Sequence, residues 1–452
     1  MSAADPAAAL THRRVLRIAL PIVLSNATVP ILGIVDTGVV GQLGQAAPIG
    51  AVGLGAVILT ALYWVFGFLR MGTTGLAAQA LGAGDEDEAG ALLARGLLIA
   101  AGAGVAIVLL QQPLFAAAFS LAPASGEVEA MARAYMGIRV WSAPALIGMY
   151  AVTGWLIAGE RAGAVLLVQL WMNGLNVALD LWFVLGLGWG VEGVAIATFL
   201  AEWSGLGLGL WLCRSAFARP GWRDPGRVLD RGRLRHMAAV NGDILLRSLM
   251  LQAIFVSFVF LGAGLGDVTL AANQILIQFL EVTAYCLDGF AFAAEALVGQ
   301  AFGAGALARL RRAAVLASLW GAGAALLLAL SFAAGGPWVI DAMATAPEVR
   351  AEARAYLPWM AAAPLLGVAS WMLDGVFIGA TRTRDMRNMM AIALAVYAAA
   401  AAILLPSMGN HGLWSAMSIS YLARAATLGA RYPALERAAI AARAKAPARS
   451  SA

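Results

Sequence analysis

Two carboxylates stand inside long apolar runs of this sequence. Asp36 follows the run 31–35 (Ile-Leu-Gly-Ile-Val), and Asp180 follows 177–179 (Val-Ala-Leu). An ionised carboxylate inside a membrane costs about 2.5–3.5 kcal/mol, so such a residue faces the interior of a helix bundle and suggests a function. Asn176 lies four residues before Asp180 and therefore on the same helix face. Two carboxyls and an amide in one place could share a proton or hold a small cation.

The composition indicates a surface that faces lipid. Of the 452 residues, 62% are hydrophobic and 12% are charged, whereas soluble domains average about a quarter charged. A membrane-spanning helix needs about 20 apolar residues, and transmembrane strands are excluded because the apolar runs do not alternate. Twelve spanning helices are therefore predicted, at 15–42, 48–80, 90–112, 130–158, 162–186, 190–213, 236–262, 268–297, 308–333, 351–379, 384–406 and 410–432.

Basic residues lie in alternate loops rather than in one patch, which argues against nucleic-acid binding despite the net charge of +5. Arginines fill the central loop 214–235, whereas the loops 43–47, 187–189, 263–267 and 407–411 contain no Arg or Lys. The positive-inside rule then places both termini and the central loop in the cytoplasm of a multi-pass protein of the plasma membrane, the inner membrane of a bacterium.

The chain repeats itself. Residues 78–84 (AQALGAG) return as 299–305 (GQAFGAG), an offset of 221. Each half has an even number of spans, so the two halves are parallel repeats. The predicted fold is an all-α integral membrane protein with two pseudo-symmetric six-helix lobes. Its parts are a cytoplasmic N-terminus (1–14), an N-lobe (15–213), a cytoplasmic linker (214–235), a C-lobe (236–432) and a basic cytoplasmic tail (433–452).

Three helices bring the polar groups of the N-lobe to one depth. Asp36 and Asp180 lie beyond the midpoints of spans one and five, and Thr198 lies early in span six, so all three fall in the outer half of the bilayer. Burial and a neighbouring carboxyl both favour the neutral form of one acid in such a pair. The two acids would then titrate as one unit. Pro21 removes a hydrogen bond from span one and is the predicted bend.

The second half does not copy this site, since the positions 221 residues after Asp36 and Asp180 are Ser257 and Ala401. It carries its own carboxylates, and these are candidates for lining a substrate cavity or gating its cytoplasmic side. Tyr150 and Met172 join them, because aromatic faces and sulfur suit flat apolar cations. The acidic candidates are Glu281, Asp288 and Glu295, seven apart on span eight, and Asp374 on span ten.

Several segments resemble the multidrug and toxic compound extrusion family, and most closely its DNA-damage-inducible F branch. They are 20–21 (LP) with 34–37 (IVDT), 73–79 (TTGLAAQ), 241–243 (NGD), 288–291 (DGFA) and 373–381 (LDGVFIGAT). The similarity extends over about residues 12–432. It implies alternating access and export of organic cations in exchange for protons or sodium.

The resemblance also implies roles for individual residues. In prokaryotic members of this branch the cation site lies in the N-lobe, and its residues match Asp36, Asn176, Asp180 and Thr198. The bend-permitting proline of helix one matches Pro21. The sodium-using branch relies on carboxylates of the C-lobe, to which Asp374 corresponds only loosely.

We therefore expect a monomeric antiporter that exports amphipathic cations and uses protons, with no cofactor and no resident metal. Sodium coupling at the same four residues and a flippase for lipid-linked intermediates are the alternatives. An enzyme is disfavoured because the three histidines, His12, His236 and His411, show no metal-ligand spacing. A passive channel suits duplicated lobes less well than a rocking transporter.

Overall fold

The computed structural model describes residues 10–42 and 44–445, and within these ranges it contains helices but no strand. The helices of the first half are α1 His12–Ala27, α2 Val29–Gly41, α3 Ala46–Trp64, α4 Phe68–Ala83, α5 Glu86–Leu109, α6 Gln111–Leu121, α7 Gly126–Arg139, α8 Ala143–Ala158, α9 Ala162–Asp180 and α10 Gly190–Leu212. Then follow α11 Arg214–Phe217, α12 Pro225–Val228, α13 Arg231–Ala263, α14 Asp267–Gly303, α15 Leu307–Met343, α16 Pro347–Gly379, α17 Thr383–Met408 and α18 Asn410–Lys445. The expected ends of the chain, 1–9 and 446–452, lie outside the described residues.

Ten helical segments of the described chain are long and apolar enough to cross a membrane. Three of them join two helices or extend one, since short 3₁₀ turns link α3 to α4 and α7 to α8, and a π-helical turn extends α9. Ten of the twelve predicted spans correspond to these segments. The other two are the first, which is broken, and the last, which α18 covers with a more polar sequence.

The first predicted span consists of two helices. The break lies at Thr28, between α1 and α2, and Pro30 follows in the first turn of α2. Proline has no N–H, so a continuous helix would leave the carbonyl of Asn26 without its usual donor. Pro21 lies inside α1, which remains helical to Ala27. The interruption therefore falls seven residues beyond the predicted bend, and bending at Pro21 itself stays a prediction.

The chain divides into two compact units. One contains residues 24–77 and 85–235, and the other contains the described residues up to Val23, Ala78–Gly84 and those from His236 onward. The boundary in the centre of the chain falls at the end of the arginine-rich segment predicted as a linker. We call these the N-terminal unit and the C-terminal unit.

The arginine-rich segment is folded onto the N-terminal unit. Arg95 of α5 is buried and donates from Nε to the carbonyl of Val228 (2.9 Å) and from Nη2 to that of Arg227 (2.6 Å). Arg227 in turn forms an ion pair with Asp85 at 2.9 Å. Residues 214–228 are thus packed onto the helices of this unit.

The core of the C-terminal unit is centred on Trp414 of α18. Its ring packs against Phe258 of α13, with ring centroids 4.4 Å apart, and its Nε1 donates to Asn273 Oδ1 at 3.0 Å. Asn273 and Asn410 exchange amide hydrogen bonds of 2.8 and 2.9 Å. These buried amides are satisfied by one another, so they fix the register of α14 against α18.

The two copies of the repeated motif pack against each other. A Cβ placed on Gly82 would lie 2.0 Å from the carbonyl oxygen of Gln300, and a Cβ on Gly303 would lie 2.0 Å from that of Gln79. Both contacts belong to the C-terminal unit. Each relates position five of one copy to position two of the other, so the crossing of α4 and α14 is itself two-fold symmetric. Only glycine permits backbones to approach so closely.

Gly303→Ala is expected to destabilise the protein by about 2 kcal/mol, because the added methyl overlaps a main-chain atom that cannot turn away. Thermal unfolding in detergent measures the loss, and Gly82→Ala should give a similar value by symmetry. Gly323→Ala is the control, since a Cβ there meets nothing within 4 Å and alanine favours a helix. Equal stability of Gly303→Ala and Gly323→Ala would contradict the packing argument.

Candidate functional site

The residues predicted to form the cation site lie together in the N-terminal unit. Asp36 is on α2, just after the break in the first span, and Asp180 is the last residue of α9. Their exposed fractions are 8% and 0%, and those of Asn176 and Thr198 are 1% and 2%. Three helices therefore converge on a closed polar cluster, which we call the aspartate cluster: Asp36, Asn176, Asp180 and Thr198.

Asn176 joins the two carboxylates. One terminal atom of its amide lies 3.1 Å from Asp36 Oδ1 and 3.1 Å from Asp180 Oδ2, and the other lies 3.0 Å from the hydroxyl of Thr198; the hydrogen-bonding pattern assigns the nitrogen to the side of the carboxylates. This orientation of the amide places its N–H donors at the carboxylates, which only accept, and its oxygen at the Thr198 hydroxyl, whose single hydrogen can go to this oxygen or to the carbonyl of Val194. Both N–H groups of Asn176 thus serve the carboxylates. The Thr198 hydroxyl also lies 3.0 Å from the carbonyl of Val194.

The two carboxyls also lie within hydrogen-bonding reach of each other. A hydrogen bond between two carboxyl oxygens requires a proton on one of them. Asp180 Oδ1 is buried and has no hydrogen-bond partner among the described residues. The geometry of the aspartate cluster would allow one proton to be held between two acids, with Asp180 Oδ1 left as a further acceptor.

The polar face of α9 continues toward the break in the first span. Asn173, one turn before Asn176, donates from Nδ2 to the carbonyl of Thr28 at 3.2 Å and accepts from Gln169 at 3.0 Å. A side chain of α9 is thereby hydrogen-bonded to the residue at which the first span breaks. Beyond Asp180, α9 continues as a π-helical turn, a distortion that is frequent at functional sites. One helix thus contacts both the break and the carboxylate that follows it.

A second buried charge pair, which the sequence analysis missed, lies beside the aspartate cluster. Arg139 of α7 donates from Nη2 to Glu202 Oε1 of α10 at 2.7 Å, and the two residues are 9% and 5% exposed. The signal was available, since both stand in predicted apolar spans, as Asp36 does. Glu202 lies one turn after Thr198 on the same face of α10.

Asp374, the carboxylate predicted on span ten, lies in an ion-pair cluster of the C-terminal unit. It contacts the guanidinium of Arg247 and lies 3.6 Å from that of Arg424. Arg424 also donates to Ser370, one turn before Asp374, at 2.7 Å. Two cations surround this carboxylate, which makes it a poor partner for a third.

Asp243 and Arg247 lie four residues apart on α13, a spacing that favours an ion pair along one helix, yet each pairs with a residue of another helix. Asp243 instead accepts from Arg387 of α17 at 2.5 Å and from Thr383 at 3.2 Å. Arg247 points to Asp374. The spacing rule fails at these two residues because buried charges in a bundle take partners from neighbouring helices.

The remaining candidates occupy different surroundings. On α14, Glu281 is exposed, Asp288 is half-buried and Glu295 is 1% exposed, so the stripe runs from the surface into the core of the C-terminal unit. In the N-terminal unit, Met172 packs against Gly205 of α10. Tyr150 of α8 interacts electrostatically with Arg70 and Glu202.

Among the described residues, no group of three or more His, Cys, Asp or Glu side chains could hold a metal ion. The aspartate cluster offers two carboxylates, an amide and a hydroxyl, a set of hard oxygen ligands. The amide turns its nitrogen, not its oxygen, toward the carboxylates. In this arrangement, the space between the acids holds donors.

Comparison with known proteins gives consistent results. The MatE sequence profile matches residues 21–182 and 244–404, once in each half. DNA damage-inducible protein F of Escherichia coli (strain K12) is 40% identical over 422 residues, which cover 91% of this chain and 90% of that protein. A probable multidrug resistance protein NorM of Pseudomonas syringae pv. tomato is 26% identical, over 92% of this chain and 93% of that protein.

Solved structures share the fold. A MATE protein crystallised in the bent conformation superposes with a TM-score of 0.84 at 19% identity, covering 96% of this chain and 97% of that one. The outward-facing conformation of a multidrug resistance MATE family transporter gives 0.82 at 19% identity, with 94% and 97% coverage. The predicted all-α architecture of twelve membrane helices in two lobes is thereby confirmed.

Proposed function

Since this chain belongs to the multidrug and toxic compound extrusion family, and within it to the branch of DNA damage-inducible protein F, we propose that it exports amphipathic organic cations in exchange for protons. It is a multi-pass membrane transporter and not an enzyme. The coupling ion and the class of substrate are what the proposal adds. Alternating access of a cavity would carry the cation outward while a proton returns.

The observation that carries the proposal is the sharing of one amide by two buried carboxyls. Asn176 donates to Asp36 and to Asp180, and the two acids lie within hydrogen-bonding reach. Two buried carboxylates repel each other, and a single proton removes that repulsion. An organic cation that approaches the pair can do the same. Proton and substrate therefore compete for one negative charge, which is the requirement for exchange.

The break in the first span supplies a means of motion. Asp36 lies on α2, which begins directly after Thr28, and the carbonyl of Thr28 accepts a hydrogen bond from Asn173 of α9. When the acids change charge, the contact between α2 and α9 changes in strength. Helix ends with few internal hydrogen bonds are the elements that absorb such changes most easily. The proposed coupling thus passes from Asp36 to the adjacent break.

Sodium coupling is the closest alternative. Na⁺ needs several oxygen ligands, and an Asn176 amide oriented to donate to both carboxylates supplies none of them. In the C-terminal unit, Asp374 is already engaged by Arg247 and Arg424. Both features favour the proton.

A flippase for lipid-linked intermediates would need free basic groups for phosphates. Four buried arginines of the described residues each form an ion pair with a carboxylate: Arg95 with Glu88, Arg139 with Glu202, and Arg247 and Arg424 with Asp374. Charges neutralised in this way hold helices together and are less available to a phosphate. Export of a cation agrees better with them.

We further propose that the protein acts as a monomer with both termini and the segment 214–235 on the cytoplasmic side, as the distribution of arginines indicates. The lobes then comprise 15–213 and 236–432. With this orientation the aspartate cluster lies in the outer half of the membrane, where a proton can enter from outside.

The experiment is transport in proteoliposomes with independent pH and sodium gradients, using ethidium as the probe. A pH gradient alone is expected to drive ethidium against its concentration gradient, and a sodium gradient alone is expected to have no effect. Transport driven by sodium at equal pH on both sides would refute proton coupling. Transport driven by neither gradient would refute exchange altogether.

A further inference from the structure

The buried pair of Arg139 and Glu202 has no role in the exchange described above. Besides their contact of 2.7 Å, Arg139 donates from Nη1 to the hydroxyl of Tyr135 at 2.9 Å, and the Tyr63 hydroxyl donates to the carbonyl of Arg139 at 3.3 Å. Tyr135 is fully buried and Tyr63 is 2% exposed. The pair is thus enclosed by aromatic rings, where little water screens its charges.

The pair lies close enough to the aspartate cluster to act on it. Arg139 interacts electrostatically with both Asp36 and Asp180, and Glu202 interacts with Asp36. The pair and the cluster also share a helix, since Thr198 of the cluster and Glu202 are one turn apart on α10. A cation beside the cluster stabilises its ionised form, and an anion beside the cation weakens that effect.

A packing role alone does not explain the arrangement. Replacing a buried ion pair by apolar side chains is often neutral or stabilising, so such pairs are weak devices for stability. Here Arg139 Nε and Glu202 Oε2 have no hydrogen-bond partner among the described residues. The pair is therefore not optimised for stability, and its charges remain able to act on the polar groups around them.

We propose that Arg139 and Glu202 are positioning residues that set the pH at which the aspartate cluster exchanges its proton for the cation. Arg139 pulls the cluster toward its ionised form, which accepts a cation, and Glu202 limits that pull. The inference rests on the proposed function and extends it to residues outside the exchanging carboxyls. The titratable and charged groups that face the pair and the cluster are Asp36, Asp180, Arg139, Glu202, Tyr63, Tyr135 and Tyr150.

The sign of each effect follows from the charges. In Glu202→Gln the guanidinium of Arg139 is no longer compensated, so the cluster ionises more easily and cation binding persists to lower pH. In the double variant Arg139→Gln with Glu202→Gln the cluster loses the cation that acts on both aspartates, so binding requires higher pH. A unit charge several ångströms away inside a protein is expected to move the midpoint by about one pH unit.

The test is ethidium binding to the protein in lipid nanodiscs, measured by fluorescence from pH 5 to pH 9, a range of about two units either side of neutrality. Glu202→Gln is expected to move the pH midpoint of binding downward, and the double variant is expected to move it upward. Glu192→Gln, an exposed carboxylate on the same helix α10, is the matched control and should leave the midpoint unchanged.

The double variant keeps the test decisive if Glu202→Gln fails to fold, because it leaves no unpaired charge in the core. A midpoint of the double variant equal to that of the wild type overturns the inference, and so does an upward shift in Glu202→Gln. A purely structural pair would lower the yield of each single variant and leave every midpoint in place. If wild-type binding itself does not depend on pH, the proposed exchange fails first.

Discussion

Asp36→Asn is expected to abolish the accumulation of cations that a pH gradient drives. Asparagine keeps the shape of the side chain and its contact with Asn176 but cannot release a proton. One proton falling through two pH units supplies about 2.7 kcal/mol, which corresponds to a concentration ratio of about 100-fold when the membrane potential is zero. In the variant that ratio should fall to about one, while any binding of the cation by Asp180 remains.

Proteoliposomes with an imposed pH difference and a clamped potential measure this ratio directly. Asp267→Asn is the matched control, because Asp267 is an exposed aspartate at the start of α14. Its ratio should equal that of the wild type. A wild-type ratio in Asp36→Asn would show that the proton travels by another route.

Asp374→Asn is expected to produce the largest loss of stability. The substitution leaves the buried guanidiniums of Arg247 and Arg424 without a counter-charge. Removing one partner of a buried ion pair typically costs about 3–5 kcal/mol, because the other charge remains in a medium that solvates it poorly. Unfolding of the purified protein by denaturant in micelles gives the loss as a lower midpoint.

The chain offers a matched control for this variant. Asp341 also faces two arginines, Arg350 at 3.9 Å and Arg354 at 2.5 Å, but on a surface where about a third of its side chain is exposed. Exposed ion pairs contribute about 0–1 kcal/mol, so Asp341→Asn should change little. Equal losses in the two variants would show that burial is not what makes Asp374 important.

The sequence predicted the carboxylates of the N-terminal unit from simple physical rules. Asp36 and Asp180 stood out because charge in an apolar run is costly, and Asn176 because it lies one turn from Asp180. Spacing along a helix could not predict how the amide would turn. Its orientation depends on Asp36 and Thr198, which come from two other helices, so it required the folded protein.

The same rules predicted the other buried charged residues less well. Arg139 and Glu202 satisfy the criterion that selected Asp36, yet they were not among the predicted site residues. Asp243 and Arg247 satisfied the i, i+4 rule, yet each pairs with a different helix in the structure. Local spacing predicts ion pairs on exposed helices. In a bundle, a charged side chain pairs instead with the nearest opposite charge on a neighbouring helix.

Proline positions and repeats were informative but incomplete. Pro21 and Pro30 both weaken the first span, and the break forms at Thr28, ahead of Pro30. The offset of the repeated motif revealed a duplication. It did not reveal that Gly82 and Gly303 lie where the two copies cross, since that contact joins residues more than two hundred positions apart in sequence.

The most direct test is to measure proton release on substrate binding, because it shows whether the buried acids of α2 and α9 exchange a proton for a cation. The purified protein is placed in nanodiscs in a weakly buffered solution, at a pH where the wild type binds ethidium partially. Ethidium is then added, and a pH indicator reports the protons released. The wild type should release up to about one proton for each cation bound. The double variant Asp36→Asn with Asp180→Asn should release none. Release of the same number of protons by the double variant would contradict the account.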